Sequence, residues 1–128
     1  MNFNLKSLVL TAVGVAMLPT AVLAHPKLVT ATPAANATVT RATAVKLTFS
    51  ERVMPKLSSA TLIMTGMPGM KNHPDMKMAG VTSAVAPDGK SIVLTSAKAL
   101  PAGSYRADWV IVGADTHRIT GAHSFSVR

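Results

Sequence analysis

Short stretches in which apolar and polar residues alternate run along the chain from residue 28 to its C-terminus. Side chains of a β-strand point to opposite faces in turn, so this alternation predicts strands with one buried face. No window has the spacing of an amphipathic helix. The alternating faces consist of Val45, Leu47 and Phe49, of Ile92 and Leu94, of Tyr105, Ala107, Trp109 and Ile111, and of Phe125 and Val127; further strands are predicted over residues 28–32, 60–64 and 81–85.

Seven short strands in about 100 residues predict an all-β domain, a two-sheet antiparallel sandwich of the immunoglobulin or cupredoxin type. Pro87-Asp88-Gly89 and Pro101-Ala102-Gly103 predict turns, because proline and glycine favour turn geometry. Residues 65–79 interrupt the alternation with Gly, Pro, Met and Lys. We expect this segment to leave the sheet as a loop. The pattern leaves the order of the strands open.

The first 24 residues have the layout of a secretory signal peptide. Lys6 is a single cation before the apolar residues 8–17, and Val22 and Ala24 stand where a signal peptidase reads small residues. The apolar stretch is shorter than the roughly 20 residues that cross a bilayer, so no stable membrane insertion is expected. We predict cleavage after Ala24, which would leave residues 25–128 as one exported domain.

Charge and cysteine content narrow the possible functions. The chain has 13 Lys and Arg against five Asp and Glu, a formal net charge of +8. The cations are scattered singly and aromatic residues are few, so the sequence does not indicate a nucleic-acid partner. The chain has no cysteine, so an exported domain of this size would rely on its apolar core without disulfides.

Methionine is concentrated in one segment. Residues 64–78 contain Met64, Met67, Met70, Met76 and Met78 together with His73. Methionine can fill a core, as at the end of a buried strand, or serve a flexible recognition loop. Thioether sulfur is also a neutral, polarisable ligand that suits Cu(I), and an imidazole nitrogen could join it. This density in a cysteine-free chain favours a Cu(I) site.

A second group offers nitrogen and oxygen. After cleavage, His25 would present an amino nitrogen and a ring nitrogen, and Pro26 has no N–H that a metal could deprotonate. Asp115 and His117 are two residues apart, a spacing that projects both side chains to one side of extended backbone. Glu51, the only glutamate, would end a strand. Amine, imidazoles and carboxylate form a set that Cu(II) prefers.

Each of these residues has a simpler interpretation. Asp115 could cap backbone donors in a turn, and Glu51 could pair with Arg52. A histidine at the new N-terminus could be what cleavage happens to leave. The fourth histidine, His123, is in phase with Phe125 and is therefore predicted to face the core or a strand edge.

The dispersed motifs resemble the CopC/PcoC family of periplasmic copper-resistance proteins. The resemblance implies a cupredoxin-like Greek-key barrel or sandwich with Cu(I) and Cu(II) sites at opposite ends. It extends over residues 25–128. The matching elements are His25-Pro26-Lys27-Leu28, Phe49-Ser50-Glu51, Met64-x-x-Met67-x-x-Met70, and Ala114-Asp115-Thr116-His117 followed by Gly121 and Phe125.

The resemblance also implies ligands, location and partners. The protein would be periplasmic and would act beside an inner-membrane copper transporter and a multicopper oxidase. The implied Cu(II) ligands are His25, Glu51, Asp115 and His117; the implied Cu(I) ligands are His73 and a subset of Met64, Met67, Met70 and Met76, with Met78 as a spare sulfur.

These observations predict a copper-binding chaperone that is not an enzyme and passes copper on by ligand exchange. One alternative is a copper oxygenase, because an N-terminal histidine with a second histidine resembles a histidine brace. The shortage of aromatic residues argues against a flat polysaccharide-binding face. The other alternative is a non-catalytic interaction module in which the methionines form a hydrophobic contact.

Overall fold

The computed structural model describes residues 13–19 and 25–128. The predicted cleavage site and most of the predicted signal peptide lie outside the described residues. Among the described residues, no helix is long and apolar enough to cross a membrane. Residues 25–128 form strands β1 Leu28–Thr32, β2 Thr38–Val39, β3 Ala44–Phe49, β4 Ser59–Gly66, β5 Met76–Lys77, β6 Val81–Val85, β7 Ser91–Ser96, β8 Gly103–Val112 and β9 Arg118–Val127.

The strands form two sheets, which confirms the predicted all-β sandwich. One sheet has the order β1-β3-β7-β6 and the other β2-β9-β8-β4-β5. The pairings are antiparallel except that β2 runs parallel to the end of β9. All seven predicted strands are present, and β2 and β5 are additional. Each of these two has only two residues, too few to produce an alternating pattern.

Alternate side chains of both sheets form the core, as the period of two requires. Leu47, Ile92 and Ile111 have no exposed surface. The Tyr105 ring stacks on Phe125 with centroids 5.5 Å apart, and the Tyr105 hydroxyl donates a hydrogen bond to the carbonyl of residue 101 at 2.5 Å. The described residues contain no disulfide, so this apolar interior holds the sheets together.

The Trp109 ring packs between Phe49 and the backbone of Gly121 on the neighbouring strand. Its ring meets Phe49 edge-on at 5.0 Å between centroids, and Gly121 is its partner on β9. A Cβ at residue 121 would lie 2.6 Å from Cε2 of the indole. Glycine is therefore required sterically at this position, where the indole lies against the neighbouring backbone.

The prediction that residues 65–79 leave the sheet is wrong at both ends of the segment. Strand β4 continues to Gly66, and β5 folds back to pair Met76 with Met64. Backbone pairing explains the difference, because β5 supplies partners to the exposed edge of β4. The methionine loop proper is therefore residues 67–75, between β4 and β5.

Strand β8 separates the two candidate ligand groups. Its first residue, Gly103, is adjacent to Gly66, where the methionine loop begins. Its last residue, Val112, leads into the turn that carries Asp115 and His117. A ten-residue strand spans roughly 30 Å, so the two groups lie at opposite ends of the sandwich.

Candidate metal centre

Three of the predicted nitrogen and oxygen ligands converge at the end of β8. The side-chain ligand atoms of His25, Asp115 and His117 lie within 4.8 Å of one another. Oδ2 of Asp115 is 2.5 Å from Nδ1 of His25 and 3.2 Å from Nδ1 of His117. The two imidazole rings are tilted by 46° with centroids 5.1 Å apart. The carboxylate therefore lies between both histidines.

A tight turn brings Asp115 and His117 together, whereas the sequence interpretation assumed extended backbone. The Thr116 N–H donates to the carbonyl of Gly113 at 3.0 Å, and the His117 N–H donates to Oδ1 of Asp115 at 3.1 Å. Thr116 has a φ of 67°, in the left-handed region that β-branched residues rarely adopt. The turn that carries two candidate ligands therefore stores backbone strain.

The electrostatics of the group favour an ionised carboxylate. The hydrogen bond from the His117 N–H lowers the pKa of Asp115, and the neighbouring His25 and His117 side chains lower it further. Oδ2 is shielded from solvent and receives no hydrogen bond of regular geometry. A buried anionic oxygen facing two ring nitrogens is a donor set that fits a divalent transition metal.

Exposure differs among the three side chains. That of Asp115 is 13% exposed, whereas those of His25 and His117 are 61% and 69% exposed. The carboxylate thus forms the floor of the group, and the imidazoles form its solvent side. Such an arrangement leaves room for an ion, or for a competing ligand, to approach from solvent.

The structure does not bring Glu51 into this group. Its carboxylate is absent from the set of atoms within 4.8 Å, and the residue is exposed just after β3. Ser50, directly before it, exchanges hydrogen bonds with Lys27. Glu51 therefore follows a residue that contacts the N-terminal segment, while its own side chain is apart from the three converging ligands.

The methionines divide into exposed and core residues. Met67, Met70 and Met76 are 41%, 52% and 47% exposed. Met64 is only 2% exposed and belongs to the core, and Met78 packs against the core from its edge. Of these five methionines, the first three are thus the ones with exposed side chains at this end of the sandwich.

The methionine loop contains a histidine with a free ring nitrogen and a sharply turning backbone. Nδ1 of His73 is buried and has no hydrogen-bond partner, which leaves a ring nitrogen available. The Met70 N–H donates to the carbonyl of Met67 at 3.2 Å. Gly69 and Asn72 have φ values of 74° and 57°, so the loop turns sharply between its candidate ligands.

An ion-pair cluster that the sequence interpretation missed ties this loop to β8. Arg106 donates to Oδ2 of Asp75 at 2.9 Å and to Oδ1 of Asp108 at 2.6 Å. Hydrogen bonds to Asp108 and then Asp75 raise the pKa of Arg106 further above its ordinary value. The only sequence signal was an Arg-x-Asp pair on the outward face of β8, which gives no hint of Asp75.

His123, the fourth histidine, faces the interior. It is 5% exposed, and its Nε2 lies 2.8 Å from the carbonyl oxygen of Pro33. The prediction of a core-facing position is confirmed. This contact links β9 to the turn after β1.

Comparison with known proteins agrees with this all-β fold. A family model described as the CopC domain matches residues 28–128. Copper resistance protein C of Xanthomonas campestris pv. juglandis is 44% identical over 128 residues, which cover 98% of this chain and 99% of the relative. Copper resistance protein C of Escherichia coli is 43% identical over 106 residues, or 83% of each chain.

A solved structure agrees as well. The crystal structure of PcoC, described as a methionine-rich copper resistance protein from Escherichia coli, superposes with a TM-score of 0.74 at 43% identity, covering 82% of this chain and all of that one. The two-sheet fold, the family model and the relatives together show that this chain belongs to the CopC family.

Proposed function

We propose that this protein binds copper in the periplasm and hands it on by ligand exchange, as part of copper resistance. The observation that carries the proposal is the convergence of His25, Asp115 and His117 within 4.8 Å. Imidazole and carboxylate are ligands suited to Cu(II). The names of the relatives, copper resistance proteins C, support the same metal.

Cleavage after Ala24 would complete the Cu(II) site. It frees the α-amino group of His25, a fourth donor beside the ring nitrogens and the Asp115 carboxylate, and Pro26 keeps further backbone nitrogens from binding. Glu51 remains a candidate outer carboxylate that could approach when the site fills. The open solvent side would let a partner's ligand displace one donor at a time.

Cu(I) would bind at the other end of the domain. Met67, Met70 and Met76 have exposed side chains, and His73 adds a ring nitrogen without a hydrogen-bond partner. We propose these four as the Cu(I) set, with Met64 and Met78 supporting the loop from the core. Softness then separates the two oxidation states, because thioethers favour Cu(I) and nitrogen with oxygen favours Cu(II).

The proposal includes no catalytic step. The relatives described above are named for copper resistance and not for an enzymatic reaction, which supports a binding role over the oxygenase alternative. Partners that receive or supply the metal would be an inner-membrane copper transporter and a multicopper oxidase. Ligand sets at opposite ends of β8 would let one end meet a partner while the other stays loaded.

The decisive experiment is Cu(II) titration followed by electron paramagnetic resonance. Two exported proteins are compared after mass spectrometry has confirmed their N-termini: one begins at His25 and the other carries one extra alanine before it. The proposal predicts a tetragonal signal with nitrogen couplings that changes in the extended protein. Identical spectra would show that the amine is not a ligand. Cu(II) binding weaker than micromolar in the protein that begins at His25 would refute the proposed function.

A further inference from the structure

Gly113 makes room for the residue next to His25. A Cβ at position 113 would lie 2.8 Å from Cγ and 2.9 Å from Cδ of Pro26, and 3.2 Å from Oδ1 of Asp115. Gly113 does not have a positive φ, so alanine could adopt its backbone conformation. What excludes a side chain here is the proline ring, which lies where that side chain would be.

The segment around Pro26 is held on two sides. Pro26 is buried, although both of its neighbours are exposed. One residue later, the Lys27 N–H donates to Oγ of Ser50 at 3.1 Å, and the Ser50 N–H donates to the Lys27 carbonyl at 2.8 Å. A buried ring and a reciprocal pair of hydrogen bonds thus fix the chain immediately after His25.

Gly113, which the Pro26 ring contacts, is itself held in place. Gly113 forms an isolated bridge with Val53, and its carbonyl accepts the Thr116 N–H that closes the turn. The same glycine therefore contacts the N-terminal segment and belongs to the turn that carries Asp115. Any displacement of Pro26 from its contact with Gly113 would move His25 away from that turn.

We propose that Gly113 is a positioning residue for the Cu(II) site: by lacking a side chain it seats the Pro26 ring, which holds His25 against Asp115 and His117 before copper arrives. This inference rests on the proposed function. It gives Pro26 a packing role separate from its lack of an N–H. Preorganisation strengthens binding because the terminal residue need not be ordered when the ion binds.

A double-mutant cycle measures the coupling between Gly113 and the Pro26 ring, and a copper-free measurement controls for the N–H that Pro26→Ala would offer to the metal. Dissociation constants for Cu(II) are measured by chelator competition for the wild type, Gly113→Ala, Pro26→Ala and the double variant. Gly113→Ala is expected to weaken binding at least about tenfold in the wild-type background. Alanine at 26 lacks the Cγ and Cδ atoms that would clash, so the same change should cost less than about threefold there. Equal costs in both backgrounds would overturn the inference.

Gly66→Ala is the matched control. A Cβ there meets nothing closer than 3.6 Å, which is ordinary contact with Ser104, so its Cu(II) affinity should equal that of the wild type. If Gly113→Ala does not fold by near-ultraviolet circular dichroism, Ser50→Ala takes its place, because it removes the Oγ that accepts the Lys27 N–H, one of the two hydrogen bonds that hold the segment. Wild-type affinity in folded Ser50→Ala would then contradict the proposal.

A copper-free measurement distinguishes failure of this inference from failure of the proposed function. Cross-relaxation between the ring protons of His25 and His117, whose centroids are 5.1 Å apart, is recorded by nuclear magnetic resonance. We expect it in the wild type and in Gly66→Ala, and not in Gly113→Ala. A wild type that shows this signal but binds no Cu(II) would keep the positioning role and reject the copper site. A signal that survives Gly113→Ala would reject the positioning role.

Discussion

The carboxylate of Asp115 is oriented by the backbone of His117. The His117 N–H donates to Oδ1 at 3.1 Å, which leaves Oδ2 directed at both histidine rings. One oxygen thus holds the turn while the other faces the proposed metal position. The two oxygens have separate roles, and a substitution can address them separately.

Asp115→Asn should weaken Cu(II) binding while preserving the turn. The amide oxygen can still accept from the His117 N–H, but the negative charge between the two imidazoles is lost. We expect at least a tenfold loss of affinity, about 1.4 kcal/mol of binding free energy, measured by chelator competition. Asp108→Asn, a carboxylate paired with Arg106 on β8, is the control. Equal affinities in both variants would exclude Asp115 as a ligand.

Thr116→Asn should stabilise the protein. Thr116 has a φ of 67°, and asparagine tolerates the left-handed region better than a β-branched residue does. The free energy of unfolding should rise by about 1 kcal/mol, since one strained residue costs on the order of 1–3 kcal/mol. Urea denaturation measures it. Thr82→Asn, at an exposed position within β6, should give no increase, and an equal gain at both positions would argue against strain at residue 116.

Gly121→Ala should destabilise the core. The new Cβ would lie 2.6 Å from Cε2 of Trp109, so the indole must leave its packed position against Phe49. Forced repacking of this kind costs about 1–3 kcal/mol. Urea denaturation and the tryptophan emission maximum report the loss and the displacement. Gly66→Ala is the control, and equal stability of the two variants would show that the indole adjusts without cost.

The alternation of residues predicted most of the sheets because it reports which side of a strand is buried. β1 and β6 begin and end where the pattern placed them. The pattern could not reveal β2 or β5, since a two-residue strand has no period and forms only because a neighbouring edge offers hydrogen bonds. Strand order likewise depends on contacts distant in sequence.

The candidate site was predictable in its residue types and not in its geometry. Their spacing identified Asp115 and His117 as candidate ligands. The left-handed backbone of Thr116 between them could not be predicted, because a β-branched residue rarely adopts a positive φ. The seat of Pro26 on Gly113 links positions far apart in the chain, and only the folded structure brings them together. The sequence left open whether a methionine at a strand end fills the core. The structure shows that Met64, on β4, does so.

Replacing the exposed methionines should separate the two methionine classes. The combined variant Met67→Leu, Met70→Leu and Met76→Leu removes the sulfurs of three exposed side chains. We expect Cu(I) affinity to fall at least about a hundredfold, since soft thioether ligands are lost. Met64→Leu keeps core volume, so Cu(I) affinity should be unchanged and stability should fall by less than about 1.5 kcal/mol. Competition with a Cu(I) chelator under anaerobic conditions measures both. Equal losses of affinity would place Met64 among the ligands.

Asp88 should make part of the stability depend on acid pH. Its carboxylate accepts hydrogen bonds from the backbone of Lys90 and from the hydroxyl of Ser91, which lower its pKa. A pKa lowered by folding adds stability that is fully present above the unfolded-state value, about 3.9, and is lost as the pH falls through the folded-state value.

The variant Asp88→Asn tests this pH dependence. The variant keeps a side-chain oxygen but has no charge to lose. The wild type should therefore unfold at a higher temperature than the variant at pH 7, and the difference should shrink below about pH 4. Thermal unfolding at several pH values measures it. Asp75→Asn, on the exposed side of the methionine loop, serves as the comparison. A difference between wild type and Asp88→Asn that stays constant from pH 7 to about pH 2 would mean that the carboxylate charge contributes nothing at this turn.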